Sequence, residues 1–397
     1  MRLPTAALAL SLACWGLVAT PAHAAEGWGS DPVISSAASR QTCADFLFVG
    51  VRGSGEPNGF GDTITGVRDG LKKRWQREGT VRQVWLDYPA VAPQTLETVP
   101  MESLLFEQPM PSTEYFDSAR KGAEKLTAVI RDAQKRCPRE RIILAGFSQG
   151  AQVITRALAV TRPGDRLLAA ILLGSPSHYP GQNVRELDGT ASDEAIGLGA
   201  FLTLARETAA DKPNRQQAVE AILQQTFDVS EGQVNRTEAR AAMTRTGAEI
   251  PPEAYPITYS VCLAGDMVCD SADPMSNILV GASSLQDEMN RTRPVHLNYK
   301  GSSITHTVEA VGASMNAAKP IVLPSTAPGR VRIERLPGRP NWQLTAQVGL
   351  GAAVAGFVVG LLVGRANRGA LPRSRRRREI AAARPDNQPD DGGPDTR

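Results

Sequence analysis

The chain has 397 residues, of which 42% are hydrophobic and 21% charged, with a formal net charge of +3. That length suits one large globular domain or two ordinary ones. The charge is too small, and the basic residues too little interleaved with aromatics, for a nucleic-acid partner.

Residues 1–24 read as a signal peptide. Arg2 supplies the positive end, an apolar run extends from Ala6 to Val18, and Ala22-His23-Ala24 puts small residues around a cleavage point. The mature chain then starts at Ala25, with residues 25–42 a loose N-terminal segment. Apolar runs at 44–51, 81–88, 141–146, 167–173 and 257–262 predict buried strands. Helical spacing is found at 63–76, 116–135 and 151–161. Strands alternating with helices predict one α/β domain over residues 43–318, its sheet mostly parallel and covered on both faces. Two stretches break the rhythm. Residues 91–113 are Pro-rich and carry Leu104, Leu105, Phe106 and Met110. Residues 181–256 form a long, polar, mostly helical insertion with apolar clusters at 200–205 and 218–223, and such a length calls for a role such as a cap.

Beyond the domain, residues 319–342 form a Pro-rich stalk expected to be extended and stiff. Residues 343–364 then carry no charge, enough to cross a bilayer core as a helix. Trp342 stands at its outer edge, and Arg365, Arg368, Arg373 and 375–378 follow. That bias places the tail, residues 365–397, in the cytoplasm and the domain outside the cell. Gly356, Gly360 and Gly364 make a small-residue stripe that could support weak self-association in the membrane.

Ser148 lies in Gly146-Phe147-Ser148-Gln149-Gly150, the G-x-S-x-G pattern of a nucleophile elbow. The serine must stand on a sharp turn between strand and helix, where a side chain at either flanking glycine would collide. The apolar strand before it and the helix after it supply that context. A serine hydroxyl needs a base, and the base an orienting carboxylate, in the chain order Ser, acid, His. Only His296 and His306 lie far enough downstream, since His178 precedes every good acid. The acid candidates are Asp266 and Asp270, directly after a predicted strand. With Cys14 in the signal peptide, four cysteines remain: Cys43, Cys137, Cys262 and Cys269. An even number in an exported chain suggests two disulfides, with three connectivities open on count alone. A bond between Cys262 and Cys269 would hold Asp266 in a small closed loop. No Cys/His spacing suits zinc, and the chemistry needs neither metal nor organic cofactor.

Four segments together resemble the cutinase family, which also holds acetylxylan esterases and cutinase-like lipases. They are the stretch from Cys43 through Arg52-Gly53-Ser54-Gly55-Glu56-Pro57, Cys137-Pro138 with the strand and Gly-Phe-Ser-Gln-Gly, Cys262 through Cys269, and His296-Leu297-Asn298-Tyr299. The insertion is longer than that family leads one to expect. The resemblance implies an α/β-hydrolase fold with Ser148 as nucleophile, Asp266 as acid and His296 as base. It implies an oxyanion hole from the Gln149 N–H and Ser54, and disulfides Cys43–Cys137 and Cys262–Cys269. The implied function is a serine esterase acting on an ester or lipid outside the cell. A cell-envelope acyltransferase on the same fold and a non-catalytic surface binding protein are the alternatives.

Overall fold

The computed structural model describes residues 27–323, Ser30 excepted. The signal peptide, most of the stalk, the apolar span at 343–364 and the tail lie outside the described residues. Among the described residues, no helix is long and apolar enough to cross a membrane.

Among the described residues seven strands form one sheet: β1 (Val33–Ile34), β2 (Phe46–Val51), β3 (Val81–Trp85), β4 (Arg141–Phe147), β5 (Leu167–Leu173), β6 (Arg185–Glu186) and β7 (Thr258–Val261). Their order is β1-β3-β2-β4-β5-β7-β6, and every pairing is parallel. The helices are α1 (Gly61–Lys73), α2 (Met101–Phe106), α3 (Glu114–Arg136), α4 (Gln149–Thr161), α5 (Leu198–Ala210), α6 (Arg215–Ser230), α7 (Arg236–Arg245), α8 (Ala272–Leu279), α9 (Leu285–His296) and α10 (Thr305–Ala317).

Parallel strands buried on both faces must be apolar throughout, and alternate residues must face different partners. β2 and β4 do this. Leu47, Val49, Ile142 and Leu144 join Leu126 and Ile130 of α3 and Val153 and Ile154 of α4 in one core. Their neighbours Phe46, Phe48, Ile143 and Ala145 join Ile64 and Leu71 of α1 and Val308 and Val311 of α10 in another. The predicted strand at 167–173 is observed as β5. Other boundaries move by a few residues for visible reasons. β2 begins at Phe46, just after Asp45, whose carboxylate accepts the Thr80 N–H at 2.8 Å. α3 begins at Glu114, where the Thr113 hydroxyl accepts the Phe116 N–H as an N-cap.

A third apolar core belongs to the insertion. Phe201, Leu204 and Ala205 of α5, Ile222 of α6 and Ala242 and Met243 of α7 pack with Leu105 of α2, Met267 and Met275. The Pro-rich stretch and the insertion therefore share one core. Stretch 181–256 also contains β6, and its α-helices are α5, α6 and α7.

Candidate active site

β4 is central in the sheet and ends at Phe147. Ser148 follows with φ 54° and ψ −122°, and α4 starts at the next residue. A non-glycine residue at such φ is strained, and the surroundings must hold it there. Here the Ser148 N–H donates to the Leu173 carbonyl at 2.8 Å, while its own carbonyl accepts from the N–H groups of Ala151 and Gln152. A Cβ on Gly150 would lie 2.2 Å from the Val51 carbonyl oxygen, and one on Gly146 2.6 Å from the Gly150 backbone. Both glycines of the motif are thus demanded by backbone-to-backbone approach.

Asp266 sits in the loop after β7, closed by the Cys262–Cys269 disulfide. Its side chain is fully buried. Both carboxylate oxygens lie 2.9 Å from His296 Nδ1. The Val268 N–H donates to Oδ1 at 2.9 Å and the Tyr299 hydroxyl to Oδ2 at 2.5 Å. Burial, then the Asp266 carboxylate, push the Tyr299 hydroxyl well above the usual phenol range, so it stays a donor. Asp270 faces elsewhere: its Oδ2 accepts the Gly265 N–H at 2.9 Å across the same loop, and burial raises its carboxyl.

His296 ends α9 and stacks on Phe147, with ring centroids 4.8 Å apart and planes at 28°. Gly174, the residue after the Ser148 partner Leu173, links the pieces. A Cβ there would stand 3.0 Å from Asp266 Oδ2 and 3.1 Å from His296 Cε1. Asp266 and His296 therefore meet beside Gly174, and Ser148, which follows β4, is tied by its N–H to Leu173 at the end of β5. In open parallel sheets the edge at the C-terminal ends of the strands is where ligands bind.

The two other downstream-or-near histidines are occupied differently. His306 Nδ1 lies 2.8 Å from Asp188, but its side chain is 71% exposed at the start of α10. His178 is buried with Nδ1 3.4 Å from the Ser260 hydroxyl. Burial pushes its imidazole down to about 4.

Gln149 opens α4, where first-turn N–H groups have no intrahelical acceptor. Its side chain is anchored to α3: Oε1 accepts the Ser118 hydroxyl at 3.0 Å and Nε2 donates to the Tyr115 carbonyl at 3.1 Å. Burial pushes the Tyr115 hydroxyl up to about 12, while the side chains of Gln149 and Ser54 act in the lowering direction. Ser54 itself lies in a braced loop. Arg52 is buried and donates to the carbonyls of Leu86 (3.1 Å), Tyr88 (2.7 Å) and Glu56 (3.1 Å). The Glu56 carboxylate accepts the N–H groups of Gly53 at 2.5 Å and Asp62 at 3.1 Å. Gly55 N–H donates to Ala90. Tyr115, Ser118 and Arg52 were not singled out by sequence reasoning, and of these only Arg52 lay in a recognised motif. Tyr299 did lie in one, three residues after His296, but without a role.

The second disulfide joins Cys43, just before β2, to Cys137, just after α3, with Cα atoms 5.5 Å apart. Among the described residues no group of three or more His, Cys, Asp or Glu could hold a metal. A cavity of about 580 Å³ lies among α5, α6 and α7, lined by Glu207, Asp228 and Arg245 among others; Ser148, Asp266 and His296 do not line it.

The Cutinase family model matches residues 42–280, more than half of the chain. Carboxylesterase Culp1 of Mycobacterium tuberculosis is 30% identical over 151 residues, which cover 37% of this chain and 59% of that protein. Cutinase 4 of Emericella nidulans is 26% identical over 136 residues, 34% of this chain and 50% of that one. The matches thus span between 50% and 59% of the length of these curated relatives. The catalytic core domain of acetyl xylan esterase from Trichoderma reesei superposes with a TM-score of 0.36 at 18% identity, covering 63% of this chain and 100% of that one. The family match ends before His296 and Tyr299, whose placement rests on the geometry above. By the extent of the family match, this chain belongs to the cutinase family.

Proposed function

We propose that the protein is a serine esterase that hydrolyses carboxylic esters through an acyl-enzyme, with Ser148 as nucleophile, His296 as base and Asp266 as orienting acid. The observation that carries this reading is the contact of His296 Nδ1 with a buried Asp266 at 2.9 Å while the same ring stacks on Phe147, the residue before Ser148. With Nδ1 held by the carboxylate, Nε2 is the nitrogen available to the serine proton. Ser148 Oγ attacks the ester carbonyl carbon as His296 takes its proton. The tetrahedral intermediate collapses, and His296 returns that proton to the departing alcohol. Water then attacks the acyl-enzyme by the same route and releases the acid. The Gln149 N–H and Ser54 would hold the oxyanion, and losing one such donor typically costs about 3–4 kcal/mol of transition-state stabilisation.

Substrate and setting are part of the proposal. Acyl-chain esters or lipids fit the apolar residues of stretch 91–113. Action outside the cell, with anchoring through residues 343–364 and the Arg-rich tail inside, rests on the sequence pattern and on disulfides that require an oxidising compartment. The test is labelling with a fluorophosphonate, which only an activated serine attacks readily. The wild-type chain should be labelled on Ser148, and Ser148→Ala should lose both label and ester turnover. Labelling that survives the substitution refutes the assignment.

A further inference from the structure

The loop that carries Asp266 is held from two sides. On the inner side the Tyr299 hydroxyl donates to the carboxylate. On the outer side lies residues 190–198, the segment that leads into the helical insertion. The N–H groups of Thr190 and Ala191 both donate to the Cys262 carbonyl, at 2.9 and 3.1 Å. The Thr190 hydroxyl accepts the Ala264 N–H at 3.0 Å. At the other end of the loop the Leu198 N–H donates to the Val268 carbonyl at 3.0 Å. The Ile196 carbonyl accepts both the N–H and the hydroxyl of Ser271, each at 2.8 Å. Between these bonds Ala191 and Ala195 pack on the Cys262–Cys269 disulfide. The segment is itself fixed, because Gly197 N–H donates to the His178 carbonyl and Gly199 N–H to that of Pro176, both at 2.8 Å. A Cβ on Gly197 would come within 2.7 Å of the Pro176 oxygen, so the approach leaves no slack.

Met267 completes the arrangement. It directly follows Asp266, its side chain is buried, and it belongs to the apolar core of α5, α6 and α7 rather than to either core of the sheet. The acid is thus joined by one peptide bond to a side chain embedded in the insertion.

We propose that the helical insertion positions the catalytic acid. Residues 190–198 splint the disulfide loop, and Met267 and Ser271 are positioning residues that transmit the seating of α5 to Asp266. This rests on the triad reading above. A small displacement of a triad member is expensive: about 1 Å of misplacement can cost about 100-fold in rate. A cap that served substrate selection alone would need no bonds to the acid loop. Here the bonds run to both ends of that loop, so the insertion and the triad form one mechanical unit.

The test is a double-mutant cycle on the full chain with a short soluble ester, which needs no acyl-chain site. Met267→Ala should lower kcat by roughly 10- to 100-fold while KM stays within about twofold. Met267→Leu, which conserves volume, should restore turnover to near wild type. In an Asp266→Asn background Met267→Ala should cost nothing further, because a residue acting through the carboxylate has nothing left to position. Ser271→Ala, which keeps the backbone bond to Ile196, should behave the same way with a smaller loss, and it decides the matter if Met267→Ala does not fold. Wild-type kcat in both variants, or an equal fold-loss with and without the Asp266 carboxylate, overturns the splint while leaving the triad intact. Full turnover in Asp266→Asn alone overturns the triad reading instead, and the splint with it.

Discussion

Two Asp–His pairs in this molecule have nearly the same dimensions and different surroundings. Asp266 and His296 meet at 2.9 Å, Asp188 and His306 at 2.8 Å. Both carboxylates are buried and both accept backbone N–H groups: Val268 for Asp266, His306 and Thr307 for Asp188. The imidazoles part company. The His296 side chain is 15% exposed and lies on Phe147, the residue before Ser148. The His306 side chain is 71% exposed, and its carboxylate serves the first-turn N–H groups of α10. Asp188 is a helix cap supplied from 118 residues away, and the imidazole contact comes along with it. A His–carboxylate distance therefore does not identify a catalytic dyad. What matters is what the second ring nitrogen can reach.

Removing each carboxylate should separate the pairs most widely. Asp266→Asn should lower kcat by roughly 10⁴-fold with the fold intact, by analogy with other triads. Asp188→Ala should leave kcat near wild type and lower stability by about 1 kcal/mol, the usual cost of a lost cap. Ester turnover and thermal melts of both variants check this. If Asp188→Ala is the inactive variant, the comparison has been read the wrong way round.

A smaller effect sharpens the same contrast, since only the first pair has a tyrosine behind it. Tyr299→Phe removes the donor to Asp266 Oδ2 but keeps the ring that sits 5.8 Å from Phe147. A hydrogen bond to a charged group is worth about 1.5–3 kcal/mol, so kcat should fall about tenfold or somewhat more with KM little changed. Unchanged kcat would mean that Val268 and the splinted loop hold the carboxylate without help.

How much of this was legible beforehand depended on how local the constraint was. β5 and the turn at Ser148 could be read because their requirements lie within a few residues: an unbroken apolar run, and glycines at 146 and 150 facing backbone. The choice between His296 and His306 could not be made from residue types, as both pair with an aspartate and only Phe147 and Gly174 distinguish them. The resemblance to cutinases, not periodicity, preferred His296. β6 was missed because two exposed residues show no pattern; they pair with Tyr259 and Ser260 far along the chain. The splint at 190–198 was invisible for the same reason, its partners lying about 70 residues downstream. Helices in stretch 181–256 were expected, but their shared core with Leu105 and Met267 is a tertiary fact that apolar clusters alone do not reveal. The membrane span and signal peptide fall outside the described residues and stay as proposals.

A third His–carboxylate pair tests whether proximity implies an ion pair at all. His178 Nδ1 lies 3.6 Å from Glu186. Burial lowers the imidazole from 6.5 to about 4, and burial together with Asp193 raises the Glu186 carboxyl from 4.5 to about 7. Both shifts favour the neutral form of each group. The two contributions to stability have opposite signs. The unfolded chain binds the His178 proton more readily, so that contribution is present above pH 6.5 and is lost as pH falls toward 4. The folded chain binds the Glu186 proton more readily, so that contribution is present below pH 4.5 and is lost as pH rises through 7. From about 4.5 to 6.5 the two oppose each other and this region adds little slope. Glu186→Gln removes one side. The variant should match wild type near pH 4.5 and become the more stable of the two by pH 8, by less than about 1 kcal/mol because the carboxyl is a third exposed. Asp193, which lines the same small cavity, is part of the cause of the raised Glu186 carboxyl, so the difference reads burial and Asp193 together. Melts of both proteins across pH 4–8 measure it. A stability difference that stays constant with pH would mean that Glu186 titrates alike in the folded and unfolded chain.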